Sequence, residues 1–167
     1  MDRLIHALKY EGQLAVGRVL GSLLGGAAVD RGLQFDVDAI LPVPLHPRRH
    51  AERTFNQSAE IGRRAARLAG RPFLEGAVAR VRDTRPQVGL GLDERRANLA
   101  DAFECTADLC GKRVAIVDDV MTTGSTARSM AGVLQFAGVA SVRFWCIARV
   151  ARSDEVDSAM HETSRDT

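Results

Sequence analysis

Apolar positions follow two rhythms in this chain. One is a short unbroken run, Val114-Ala-Ile-Val117, three of whose four residues are β-branched. Such a run reads as a strand buried on both faces of a parallel sheet. The other is helical: Ala127, Met130, Ala131, Leu134 and Ala137 recur three or four residues apart, and Gly138 supplies a stop. Between strand and helix lie two carboxylates, Asp118 and Asp119, then Met121 and the hydroxyl-rich stretch Thr122-Thr-Gly-Ser-Thr126. At a strand end the two acids are expected to be exposed.

The same rhythms organise the rest of the chain. A helical start from Leu4 to Asp30 precedes a strand from Asp38 to Val43, and a helix from Phe55 to Leu68 ends at Gly70 and Pro72. Leu74 to Leu99 is irregular and rich in Arg, Gly and Gln, Ala102 to Cys105 reads as an edge strand, and Ser141 to Ala148 is a last strand. Strands alternating with helices predict an α/β fold, a parallel sheet flanked by helices with right-handed crossovers. With 167 residues, 46% of them apolar, the chain can fill one core, and 5% aromatic content leaves that core to Leu, Val and Ala. The expected organisation is a single domain over residues 1–150 and a polar, disordered tail over 151–167.

The chemistry of the acidic segment follows from its order. A helix start offers N–H groups without intrahelical partners and a partial positive charge, so phosphate settles there. Gly124 lets the backbone close on it, and the hydroxyls add donors. Carboxylates repel phosphate; they suit sugar hydroxyls or a hydrated Mg²⁺. Phosphate at one end and a diol at the other describes a ribose 5-phosphate site. A Walker B strand also ends in acids, but Gly-x₄-Gly-Lys-Ser/Thr is absent from the sequence. A phospho-receiver domain gathers its acids from its first strand, much earlier in the chain. The plainest alternative is an α/β sheet whose strand merely ends in Asp before a Thr- or Ser-capped helix.

Val117-Asp-Asp-Val-x-Thr-Thr-Gly-x-Thr126 resembles the phosphoribosyl pyrophosphate (PRPP) motif of type I phosphoribosyltransferases. Pro42-Val-Pro-Leu-His-Pro-Arg-Arg49, Arg53-x-Phe-Asn-Gln57, Thr84-x-Pro-Gln87 with Leu90, and Arg95-Arg-x-Asn98 are similar to the ComF/GntX branch, as is Leu8-Lys-Tyr-x-Gly12. The resemblance runs from about Leu4 to Arg149. It implies a type I phosphoribosyltransferase-like parallel sheet flanked by helices, with a mobile loop over the site, here Arg85-Pro-Gln-Val-Gly-Leu-Gly-Leu92. Pyrophosphate would meet Arg48 and Arg49, whose forks suit phosphate oxygens, and His46. Thr122, Thr123, Gly124, Ser125 and Thr126 would hold the 5-phosphate, and Asp118 and Asp119 the diol and Mg²⁺. The implied reaction is displacement of pyrophosphate from the anomeric carbon, with Asp118, Asp119 and Arg48 carrying it by electrostatics. Purine-salvage members carry Asp at the first position of the phosphate loop. Here Thr122 stands there, which argues against a purine acceptor and leaves the nucleophile open.

Charge widens the choice of function. Net charge is +2, yet His46 to Arg96 holds twelve arginines against six carboxylates, while Ala151 to Thr167 is net −3. The basic middle suits polyphosphate or nucleic acid, although Arg63, Arg64, Arg67 and Arg71 read as solvated helix faces. Besides a Mg²⁺-dependent enzyme, the resemblance therefore implies a non-catalytic competence factor. Such a factor would bind PRPP or a nucleoside 5-phosphate and handle single-stranded DNA beside the uptake machinery. Tyr10, Phe55 and Trp145 are too scattered to form a stacking platform. Three cysteines, Cys105, Cys110 and Cys146, fit reduced thiols better than a zinc site. The four-cysteine N-terminal zinc module of many family members has no counterpart in this sequence, and whether one precedes it is left open. Neither a signal peptide nor an apolar stretch of about twenty residues is seen, so a cytoplasmic protein without membrane insertion is expected. Whether it forms a homodimer is also left open.

Overall fold

The computed structural model describes residues 13–45, 55–81 and 102–150. Helix α1 spans Leu14–Asp30, and a 3-10 turn over Leu33–Asp36 leads into β1, Ala39–Pro42. Helix α2 spans Gln57–Ala69, followed by β2 (Val78–Arg80), β3 (Phe103–Cys105), β4 (Arg113–Met121), helix α3 (Ser125–Phe136) and β5 (Ser141–Arg149). The sheet order is β1-β4-β5, all parallel, with β2 and β3 paired antiparallel as a separate ribbon. The parallel sheet flanked by helices is therefore as expected.

β4 lies at the centre because its residues can be buried on both faces. Leu41, Val114 and Ile116 pack with Val78, Phe103, Met130 and Leu134 from the ribbon and α3. The alternate positions Ile40, Ala115 and Val117 pack with Leu20, Ala28, Ile61, Ala66 and Trp145 on the α1–α2 side. This is the two-residue period of a strand feeding two cores. Helices α1 and α2 approach closely at glycine: a Cβ on Gly21 would stand 2.6 Å from the Ile61 carbonyl oxygen. The outer edge of β1 is covered by the segment after α2, where Ile40 donates to Pro72 and Leu74 donates to Ile40.

Three readings are refined. The acidic strand does not stop before Asp118; β5 runs on to Arg149 and keeps pairing β4 through Met121. Within the stretch read as irregular, Val78–Arg80 is a strand, because Phe103–Cys105 supplies its ladder. The helix expected from Phe55 starts at Gln57, since Asn56 caps it by accepting from the Ser58 and Ala59 amides. Leu4 to Gly12, the arginine loop at 46–54, the proposed mobile loop and the tail at 151–167 lie outside the described residues.

Candidate functional site

Parallel strands put their carboxyl ends on one edge, and ligands of open α/β sheets collect beyond that edge. There β4 passes through Thr122 and Thr123 into α3. Gly124 is the N-cap of α3 at φ 70°, a left-handed conformation that glycine adopts without strain. The Thr123 hydroxyl donates to Ser125 Oγ at 3.1 Å and accepts from the Ser125 amide at 3.4 Å. The first intrahelical bond runs from the Arg128 amide to the Gly124 carbonyl at 3.0 Å, so the preceding amides of the turn have no intrahelical acceptor. A small, shallow cleft opens here, lined by Asp118, Val120, Thr122, Gly124, Ser125 and Thr126 and backed by Phe144.

The two acids have different surroundings. Asp118 borders the cleft, and its Oδ1 accepts from the Ser58 hydroxyl at 2.7 Å and from the Asp119 amide at 2.9 Å. Asp119 is only 6% exposed, contrary to the expectation for a strand-end acid, and its Oδ1 accepts from the Val120 amide at 2.8 Å. Successive strand residues face opposite sides, which separates the two carboxylates. Beside Asp118 in register lies Cys146, whose thiol pKa is pushed up by burial, with Asp118 adding to the rise, so the sulfur stays protonated.

Ser58 is the site residue that sequence reasoning missed. It is 4% exposed on the first turn of α2, sixty positions before its carboxylate partner. Asn56, just before it, donates to the Val43 carbonyl at 3.0 Å and ties the start of α2 to the end of β1. The visible signal was the Asn cap alone. The structure thus brings Asp118, Thr122 and Gly124 to Thr126 into one cleft, with Thr123 in the same turn and Asp119 buried outside the lining, whereas Arg48, Arg49 and His46 lie outside the described residues.

Arg63 and Arg64 on α2 and Arg71 just beyond it make specific contacts, while Arg67 is an exposed position as expected. Arg63 pairs with Glu60 at 2.7 Å and Glu75 at 2.6 Å, contacts that raise its pKa further, Glu75 most. Arg64 donates to Ser22 Oγ and Arg71 to the Gln34 carbonyl. Among the described residues no group of three or more Cys, His, Asp or Glu could hold a metal. No helix among them is long and apolar enough to cross a membrane.

A family model described as the phosphoribosyl transferase domain matches residues 65–165, which include the cleft. Competence protein F of Haemophilus influenzae is 37% identical over 152 residues, covering 87% of this chain and 66% of that protein. The chain belongs to the phosphoribosyltransferase family, in its ComF branch. DNA utilization protein YhgH of Escherichia coli is 38% identical over 153 residues, covering 89% of this chain and 67% of its own length. This chain therefore spans about two thirds of the length of these curated relatives. Among solved structures, an adenine phosphoribosyltransferase aligns with TM-score 0.54 at 15% identity, covering 92% of this chain and 79% of that one. The allosteric regulatory enzyme of purine biosynthesis aligns at 0.53 and 22% identity, covering 79% and 26%. At these identities the likeness shows the type I phosphoribosyltransferase fold.

Proposed function

We propose that this phosphoribosyltransferase-family protein binds PRPP and transfers its 5-phosphoribosyl group to an acceptor, releasing pyrophosphate. The observation that carries the reading is Asp118, fixed by Ser58, facing the same cleft as the helix start at Gly124. The turn amides and hydroxyls from Thr122 to Thr126 take the 5-phosphate, and Asp118 accepts from the ribose hydroxyls. Arg48, Arg49 and His46 are assigned to pyrophosphate on the resemblance of their loop.

The cleft carboxylate Asp118 suits Mg²⁺, a hard ion that uses one or two protein carboxylates and completes its shell with water and substrate phosphates. Asp118 would hold it, whereas Asp119, expected as a second ligand, is buried away from the cleft; when bound the ion would neutralise charge on the departing pyrophosphate. Little covalent help is needed from the chain, whose role is positioning and electrostatics. Thr122, exposed at the loop's first position, offers a hydroxyl and no carboxylate to an acceptor base.

Calorimetry with PRPP, with and without Mg²⁺, tests the binding step. Asp118→Asn is expected to weaken PRPP, and unchanged affinity in a folded variant would overturn the assignment. Pyrophosphate release in the presence of Mg²⁺, nucleobases and amines tests transfer.

The names of the relatives favour a second reading, in which PRPP or a nucleoside 5-phosphate is a ligand of a cytoplasmic competence factor that handles single-stranded DNA. Such binding would rest on phosphate neutralisation and fall steeply with salt. Fluorescence anisotropy with labelled single strands, at low and physiological salt, tests it. Competition by Mg²⁺–PRPP would put DNA on the same face, and no binding at low salt would remove direct DNA contact.

A further inference from the structure

Helix α1 is apolar on more than its packed side. Val16, Leu20, Leu24 and Ala28 pack in the core that holds Trp145 and Ile147 of β5, and Gly21 and Gly25 meet α2. Val19 and Leu23, one turn apart, are left 57% and 60% exposed. They line an open groove with Ser22 and two arginines, Arg18 and Arg64. Arg64 donates its Nε–H to Ser22 Oγ at 2.9 Å, and neither guanidinium has a carboxylate partner among the described residues. An apolar floor with a cationic rim fits an acidic segment whose apolar residues recur at helical spacing.

We propose that this groove holds the chain's own segment 151–167, with Val156 and Met160 against Val19 and Leu23 and the acids toward Arg18 and Arg64. Charge singles that segment out. Residues 1–12 set two acids against two bases, 46–54 one acid against three, and 82–101 four against four, whereas 151–167 sets five acids against two. Its acids Asp154, Glu155, Asp157 and Glu162 surround Val156 and Met160, whose four-residue spacing places them on one side of a helical turn. The segment also starts in the right place. Helix α1 ends where β1 begins, so its N-terminal half lies toward the carboxyl edge of the sheet. β5 ends at that edge beside α1, with the Val150 amide donating to the Met121 carbonyl. Crossing a helix takes about 10 Å. Ala151 to Glu155, extended, reach about 16–18 Å. Docking would cover an exposed apolar flank and give both arginines carboxylate partners, whatever the cleft binds.

The test is hydrogen exchange by mass spectrometry on the full chain, compared with a synthetic peptide of residues 151–167. Docking should slow the amides from Asp154 to Glu162 about tenfold or more relative to the peptide. Val19→Ser with Leu23→Ser, and separately Val156→Ser with Met160→Ser, should each return those amides to the peptide rate. Combining the two pairs should add nothing further, because both remove the same contact. Arg18→Glu should reduce the protection, and so should salt at about 1 M, where the Debye length falls to about 3 Å. Val19 and Leu23 are exposed, so the groove variant keeps its core, and the Val156 and Met160 variant gives the same answer without touching α1. Exchange of the wild-type segment at the peptide rate would overturn the proposal, as would protection that survives both pairs of substitutions. Protection that grows with protein concentration would also overturn it, by putting the segment of a second copy in the groove.

Discussion

Replacing Ser58 with alanine deletes one hydroxyl from a position that is 4% exposed, with no added volume to accommodate. That hydroxyl donates to Asp118 Oδ1 at 2.7 Å, a hydrogen bond to an ionised group. Such bonds contribute about 1.5–3 kcal/mol. Asp118 borders the cleft, where water can replace part of the donor, so the low end, about 1.5 kcal/mol, is the better expectation. For a chain of this size each kcal/mol moves the melting temperature by about 2–4 °C, giving a fall of about 3–6 °C. Binding suffers separately, because a carboxylate freed at χ1 must be fixed again when ligand arrives. Immobilising one side chain costs about 0.5–1.5 kcal/mol, or roughly two- to tenfold in PRPP affinity. The assay is a double-mutant cycle with Asp118→Ala, read in both melting temperature and calorimetric affinity. A variant too weak to titrate then still reports coupling. If Ser58 acts through Asp118, Ser58→Ala should change little once Asp118 is alanine. Equal effects in both backgrounds would refute the reasoning.

Gly124→Val places a β-branched residue at φ 70° with its Cβ against Arg128, so it should weaken ribose 5-phosphate and PRPP alike in titrations. Arg48→Ala with Arg49→Ala should weaken PRPP far more than ribose 5-phosphate, and equal losses would remove the pyrophosphate assignment. Gly21→Ala should gain about 1 kcal/mol of helix propensity and lose about 1–3 to overpacking against the Ile61 carbonyl. Thermal melts should therefore show net destabilisation. At the far end of the sheet, hydrogen bonds from the Arg113 side chain and then its backbone hold Asp38 well below its usual pKa of 3.8. The unfolded chain binds that proton first as pH falls, so the pair's contribution is complete above about pH 4 and fades below it. The melting-temperature gap between wild type and Asp38→Asn should be flat from about pH 5 to 8, start to narrow below about pH 4 and go on narrowing as pH falls further; a gap that did not narrow at all between about pH 5 and 3 would contradict the pairing.

The sheet was legible where local pattern and global environment agree. Val114 to Val117 needs burial on both faces, and only a central parallel strand provides it. The turn between β4 and α3 was legible because Gly124 and its hydroxyl neighbours are contiguous. The burial of Asp119 was not legible, since nothing local says that β4 continues past Val117 beside Cys146 to Arg149 of β5. The Ser58–Asp118 bond was hidden for the same reason. Asn56 advertises a helix start, but nothing local says which strand end that helix will meet. Val78 to Arg80 became a strand through a partner across a long intervening segment. Arg63, Arg64 and Arg71 are held by Glu60, Glu75, Ser22 and the Gln34 carbonyl, contacts that the charge count from His46 to Arg96 does not register.

This division bears on how function should be tested. The proposed diol acid and phosphate turn are consecutive on β4 and α3, rooted in two cores, and Asp118 is braced by α2. A ligand with only a ribose 5-phosphate end can use all of that. An enzyme needs more, because the leaving pyrophosphate must be neutralised by Arg48, Arg49 and Mg²⁺ and the acceptor must be held near the anomeric carbon. Binding of ribose 5-phosphate therefore tests the cradle and does not separate a transferase from a PRPP-binding competence factor. The separating quantity is the added affinity for PRPP over ribose 5-phosphate, together with pyrophosphate release. A large increment that vanishes in the Arg48 and Arg49 double variant, accompanied by turnover with some acceptor, supports transfer. A large increment without turnover across nucleobases and amines favours the ligand-binding role, and no increment would leave the cradle reading a phosphosugar alone.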